Sequence, residues 1–253
     1  MKKILLLLAL AALAATLGCS QRRNSASTGG SATQGVAEPK AEAVDRLNDS
    51  ANVLTQLVSA PDNGIPDTVL GRAKCVAIVP SMIKGGFVVG GRHGRGVATC
   101  RTGNGWSAPA FFTLSGGSWG AQIGVESADV VMMFMNDKGM QDLMSSKVKL
   151  GGEASVAAGP VGRQAEAGTD VALKAEILTY SRTKGLFAGL ELNGAAIQQD
   201  VDSTNAFYGR SVSFHDVLSG SVPVPSMADN FVATVRRDFA EARAANQQRG
   251  MQK

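Results

Sequence analysis

Between Cys75 and Val125 the apolar residues come in short runs cut by glycine: Cys75-Val76-Ala77-Ile78-Val79, then Gly86-Phe87-Val88-Val89-Gly90, then Gly96-Val97-Ala98-Thr99-Cys100. Runs this short cannot make helices that bury a face, whereas they suit strands. The segment Gly90-Gly91-Arg92-His93-Gly94-Arg95-Gly96 has the backbone freedom a reversal needs, so the three runs read as a meander. Further strands are expected at Ala110–Leu114, Gly120–Val125 and Ala128–Met135, the last apolar on both faces and therefore central. Thirty glycines in 253 residues fit tight turns and bent strands better than long helices.

Helical periodicity brackets this region. Val44, Leu47, Ala51, Leu54 and Val58 recur at three- and four-residue spacing, with Asp45, Arg46, Asn48, Asp49 and Asn52 between them, until Pro61, Asn63, Gly64 and Pro66 stop the helix. Asn136-Asp137 predicts a cap for a short helix through Met140, Leu143 and Met144. Val171–Tyr180 and Leu186–Leu192 alternate as a hairpin around Ser181-Arg182-Thr183-Lys184-Gly185. Ser226-Met227-Ala228-Asp229 reads as a capping box before a helix with Phe231, Val232, Val235 and Phe239 on one face. The fold class is thus α+β: a curved, mostly antiparallel sheet, barrel-like at the limit, flanked by helices.

The first residues, Met1-Lys2-Lys3 followed by an apolar run to Leu13, have the form of a signal peptide over 1–18, too short to span a bilayer well. Thr16-Leu17-Gly18-Cys19 is similar to a bacterial lipobox, although Thr16 stands where an aliphatic residue is commonest, and marks Cys19 for lipidation. Residues 19–40, poor in large apolar side chains, read as the acylated cysteine and a flexible tether. One domain is expected over 41–246, with a short tail over 247–253. The expected location is the cell envelope, lipid-anchored at the outer membrane and facing the periplasm. There, with Cys19 acylated, Cys75 and Cys100 are the remaining thiols and a disulfide between them is expected. Two buried free cysteines stay open as the alternative, since strands one and three touch only if curvature or strand order brings them together.

No acidic residue occurs from Thr68 to Val125, while Arg72, Lys74, Lys84, Arg92, Arg95 and Arg101 fall there. Lys84, Arg92, Arg95 and Arg101 lie on or beside the turns of the expected meander and are the candidate contacts to anionic lipid head groups. Gly116-Gly117-Ser118-Trp119-Gly120 has the letters of a nucleophile elbow, but Ala121-Gln122-Ile123-Gly124-Val125 alternates like a strand rather than opening a helix. His93 and His215 have no ligand at metal-site spacing, and no phosphate-binding loop occurs. These readings leave no catalytic residue, no metal and no cofactor, and export argues against nucleic acid.

The segments Ala73–Ser81, Lys84–Arg92, Gly105–Ala110, Ala154–Arg163, Ala175–Arg182 and Lys184–Gly189 together resemble the SYLF domain, in the same order, from about Ala43 to about Ser219. Eukaryotic members bind phosphoinositides and, in yeast, bundle actin; bacterial members are usually exported lipoproteins. The resemblance implies a lipid-binding module that is not an enzyme, whose expected partner is an anionic lipid or membrane surface. An envelope protein partner is the alternative, and no actin is expected in a bacterial envelope. Cys19→Ala should release the mature protein from the membrane fraction or leave it unprocessed; fractionation that finds it membrane-bound and normally processed contradicts the lipidation.

Overall fold

The computed structural model describes residues 34–60, 64–161, 175–183 and 186–251. In chain order the elements are α1 (Gln34–Val58), α2 (Asp67–Arg72), β1 (Cys75–Thr102), β2 (Gly105–Trp106), β3 (Ala110–Phe134), α3 (Asp137–Met144), β4 (Lys147–Lys149) and β5 (Val156–Ala158). There follow β6 (Ile177–Thr183), β7 (Leu186–Gly189), β8 (Ala195–Gln199), α4 (Val201–Tyr208), α5 (Phe214–Leu218) and α6 (Asp229–Met251). Among the described residues the strands form one sheet of eight. It is curled like half a barrel and is antiparallel except where β5 lies parallel to β6.

The runs expected to form a meander are instead one strand. β1 pairs with β3 from Cys75↔Phe134 to Ala98↔Ala110, and the glycine segment 90–96 stays in the ladder, Arg92 opposite Gly116 and Gly96 opposite Phe112. The chain first reverses at Gly103-Asn104, where Thr102 faces Gly105 and Gly105 takes φ 125°. Likewise 110–114, 120–125 and 128–135 join as β3, so Gly116–Gly120 lies inside a strand, Ser118 opposite Gly90, and not at a strand-to-helix turn. Glycine here permits bending along a strand, a use that sequence alone does not separate from reversal.

A straight strand from Cys75 to Cys100 would span about 80 Å, yet their Cα atoms are 4.0 Å apart and their sulfurs are bonded. β1 doubles back on itself through register shifts between Val79 and Met82 and between Gly86 and Val88. Pro80, which has no N–H to give a ladder, and Ser81, at φ 52°, occupy the first shift. Asp129 holds this strained residue, accepting from the Ser81 amide (3.0 Å) and from Arg182 Nε (3.0 Å). Where the ends meet, the Lys74 amide donates to the Phe134 carbonyl (2.7 Å) and the Arg101 amide to the Lys74 carbonyl (2.7 Å). A Cβ on Gly96 would sit 2.5 Å from the Ile78 carbonyl oxygen and from the Phe112 ring, so the closure needs glycine there. The expected Cys75–Cys100 disulfide therefore forms because curvature, not strand order, joins the two ends of β1.

Near its two ends both faces of the ribbon are buried, which is why the apolar residues there do not simply alternate with polar ones, whereas Ile83 and Val125 farther along it are exposed. Val76, Ile78, Val97, Phe111, Val131 and Met133 face α1, α2 and α6; Cys75, Ala77, Val79, Phe112, Leu114, Val130, Met132 and Phe134 face α3, α5 and the 190s segment. α1 turns Ala43, Leu47, Ala51, Leu54 and Leu57 inward, a stripe slightly rotated from the expected one, with Val44 and Val58 at its edge. It begins at Gln34, inside the segment read as tether, and α6 runs on to Met251. Asn136 caps α3 as expected, accepting from the Gly139 amide at 2.8 Å. Ser226 does not cap α6: residues Ser226–Ala228 form a 3-10 turn after Pro225 with no side-chain cap bond. The β6–β7 hairpin is present, Thr183 opposite Leu186, while residues 171–174 of its expected first strand lie outside those described.

Thiol titration of the unreduced, denatured mature protein should find neither Cys75 nor Cys100 free. Cys75→Ser with Cys100→Ser should lower unfolding stability in urea by about 3 kcal/mol, the loop-closure entropy of a bond spanning 25 residues.

Candidate functional site

The basic residues singled out in the sequence occupy four settings whose contacts share no residue. Lys84, half-buried, stands in register opposite Glu126. Arg92 donates from Nη1 to the Glu191 carbonyl (2.9 Å) and from Nη2 to that of Gly117 (3.4 Å), and burial draws its pKa below the ordinary value. Arg95 is committed to carboxylates, Glu42 at 3.0 Å and Asp200 at 3.2 Å. Arg101 donates from Nε to the Ala73 carbonyl (2.8 Å) and lies over the Trp106 and Phe239 rings, 4.6 and 5.5 Å from their centroids. Cys19 lies outside the described residues. His93 is exposed on β1 and His215 exposed on α5, 3.8 Å from Asp216.

Two clusters that the sequence did not announce are built around these residues. In the first, Asp200 is the N-cap of α4: one carboxylate oxygen accepts from the Ser203 amide (3.0 Å), the other from the Ser203 hydroxyl (2.7 Å), Arg95 Nε (3.2 Å) and the buried Arg46 (3.3 Å). Burial pushes this carboxyl upward, but the Ser203 bonds and then the Arg95 and Arg46 charges outweigh it and hold the group below the ordinary carboxylate range. Burial, then the like charge of Arg95, draws Arg46 downward. With Glu42 the charges balance, so the cluster ties α1, β1 and α4 together and offers no free cation. A readable signal existed: Asp200 and Gly209, which takes φ 67°, bracket α4 as cap and stop.

The second cluster is a corner of arginines. Trp106 and Phe239 meet edge to face, 4.7 Å between centroids, and Arg101 covers both. On α6, Arg236 precedes Phe239 by three residues and Arg243 follows it by four, so both flank it on one helical face. Arg243 donates from Nε to the Gly71 carbonyl at 3.1 Å. Arg236 Nη2 lies 3.9 Å from where a Gly105 Cβ would stand, which places it beside the β2 turn. Burial, then the charge of Arg243, lowers the Arg101 pKa to about 10. The i−3/i+4 spacing around Phe239 was in the sequence, but nothing there placed β2 beside it.

Asp200→Asn should destabilise the fold by about 3 kcal/mol at neutral pH, because it leaves Arg46 buried beside a neutral group. The native carboxyl titrates below its unfolded value of about 3.9, so its contribution is complete above that pH and is lost as pH falls through the folded pKa. Urea midpoints of the two proteins should therefore differ at pH 7 and draw together as pH falls below about 3.9.

Comparison with known proteins adds the relationship. The family described as Ysc84, Las17-binding protein actin regulator, matches residues 115–238. Protein YSC84 of Saccharomyces cerevisiae is 38% identical over 176 residues, 68% of this chain and 37% of that protein. SH3 domain-containing YSC84-like protein 1 of Rattus norvegicus is 34% identical over 174 residues, 68% of this chain and 51% of that protein. LAS seventeen-binding protein 3 of Saccharomyces cerevisiae is 34% identical over 197 residues, 76% of this chain and 43% of that protein. The chain thus spans about half the length of these relatives or less. The name of LAS seventeen-binding protein 3 records a protein partner, and the family description names Las17 binding and actin regulation. That corrects the expectation that anionic lipid is the partner and that actin is excluded; the lipid came from the basic stretch and the resemblance, and the exclusion of actin from an inferred bacterial envelope. By the order of its motifs, its curled sheet and these matches, the chain belongs to the Ysc84 (SYLF) family.

Proposed function

We propose that this chain is a non-catalytic binding module that holds a protein partner of the kind its family's description and a relative's name record, actin or a Las17-type regulator. The observation that carries the reading is similarity, 34% identical across 76% of the chain, to a protein named for binding LAS seventeen, together with a family described as Las17-binding actin regulators. The chemistry of the interior supports it. The buried charges answer one another at Asp200, the Gly116–Gly120 segment is a length of strand, and most polar contacts join elements to one another. Cations such as Arg236 and Arg243 stand exposed at its surface, where charge complementarity acts on a partner. Among the described residues no helix is long and apolar enough to cross a membrane. The Gly18-Cys19 pair is the reason the proposal includes an acyl anchor at Cys19.

The full chain should pellet with actin filaments in co-sedimentation or be retained by immobilised Las17, with binding that weakens as salt rises if charge contributes. Recovery entirely in the supernatant with filaments, together with no retention by Las17, overturns the proposal.

A further inference from the structure

We propose that the corner formed by Arg101, Arg236 and Arg243 around Trp106 and Phe239 docks an acidic segment of the protein partner; this rests on the binding role proposed above and names its chemistry. None of the ion pairs formed among the described residues includes any of the three arginines. The reason is visible in the sequence. The end of β1, the turn at Gly103-Asn104, β2 and α2 beyond Asp67 all come from the stretch without an acidic residue, Thr68 to Val125. On α6 the nearest carboxylates by sequence are Asp238, turned to Arg237 at 2.8 Å, and Glu241, which forms no ion pair with the three. Arg46 and Arg95 are answered by Asp200, Arg182 by Asp129 and Arg249 by Asp67. Arg72, Arg92 and Arg210 are not, but only at this corner do the described residues bring unanswered arginines together around one aromatic pair.

The form of the corner favours carboxylates on a polypeptide. Arginine presents a planar fork that receives a carboxylate through two parallel hydrogen bonds, with more directional preference than a lysine ammonium. Arg101 is held in place by Ala73 and by the two rings beneath it, so little of its freedom remains to be lost on binding. Arg236 and Arg243 are exposed and stand two helical turns apart, about 10 Å along the axis, a spacing that successive side chains of an extended acidic segment can bridge. A membrane surface is met differently, by a broad lysine field and exposed apolar side chains, whereas Trp106 and Phe239 are buried. Gly105, in its left-handed φ, sets the β2 turn beside Arg236, whose Nη2 lies 3.9 Å from where a Gly105 Cβ would stand.

The test is anisotropy of a fluorescein-labelled hexaglutamate peptide titrated with the full chain, alongside sedimentation with phosphatidylcholine vesicles containing phosphatidylglycerol. The wild type should bind the peptide. Arg236→Gln with Arg243→Gln should weaken it about tenfold, whereas Lys147→Gln with Lys149→Gln, on the exposed edge of β4, should not. Should the double variant melt early because Arg243 loses Gly71, Arg236→Gln alone gives the reading, with a smaller loss expected. No peptide binding by wild type, equal loss in both double variants, or no loss at the corner overturns the proposal. So does vesicle binding that depends on Arg236 and Arg243 without peptide binding, which assigns the corner to membranes. If the Arg236/Arg243 variant fails to lose peptide while the wild type still pellets with actin filaments or binds Las17, the corner is wrong and the binding role stands. Peptide binding lost at the corner, with no actin or Las17 binding, supports the corner as an acidic-segment site and overturns the choice of actin or Las17 as its partner.

Discussion

The fold depends on one closure. β1 and β3 form a ribbon too long to lie flat in a domain of this size, and the ribbon is bent until β1 meets itself. The backbone bond from Arg101 to Lys74, the contact of Gly96 with Ile78 and the Cys75–Cys100 bond are three views of that meeting. Once it is made, the ribbon has two distinct apolar faces, and each requires its own cover. α1, α2 and α6 cover one face; α3, α5 and the segment around Leu192 cover the other. Opening the seam would therefore expose both cores together, so the sheet and its helices should unfold cooperatively.

Arginine does different work at different depths of this structure. At the bulge, Arg182 braces the Asp129 that holds Ser81 in its left-handed conformation. At the junction of α1 and α4, Arg46 and Arg95 converge on a single carboxylate, which costs desolvation but fixes which residues meet. At the aromatic corner, Arg101 is stacked and no acid of the described chain answers it. Net charge, 25 basic against 21 acidic residues, conceals this division; local balance reveals it.

Much of the fold was legible because burial leaves period. The α1 stripe, the Asn136 cap, the β6–β7 hairpin and the face of α6 carrying Phe231, Val235 and Phe239 follow from spacing alone. The continuity of β1 was not legible, since a glycine that bends a strand and one that reverses it look alike in a sequence. β4 and β8 escaped because Lys147-Val148-Lys149 and Ala195–Gln199 are short and carry little apolar pattern. The site was the least legible part. Arg92, Arg95 and Arg101 stood out as charges, but whether a charge faces solvent or a carbonyl is decided by partners distant in sequence, as between Arg95 and Asp200, 105 residues apart. The ligand was misjudged for a separate reason, since the basic stretch and the resemblance pointed to lipid and an inferred compartment excluded actin.

α1 and α6 lie side by side and run the same way: Asn48 meets Asn230, and Thr55 meets Arg237, each pair 182 residues apart. In kinetic terms these are contacts of very high sequence separation, which close late and at a large entropic cost. A ribosome has made nearly the whole domain before α6, which shares with β1 and α4 the cover of the α1 stripe, exists. Any chain cut short before Phe231 leaves part of that apolar stripe open to solvent, so truncated products of this protein should be prone to aggregate.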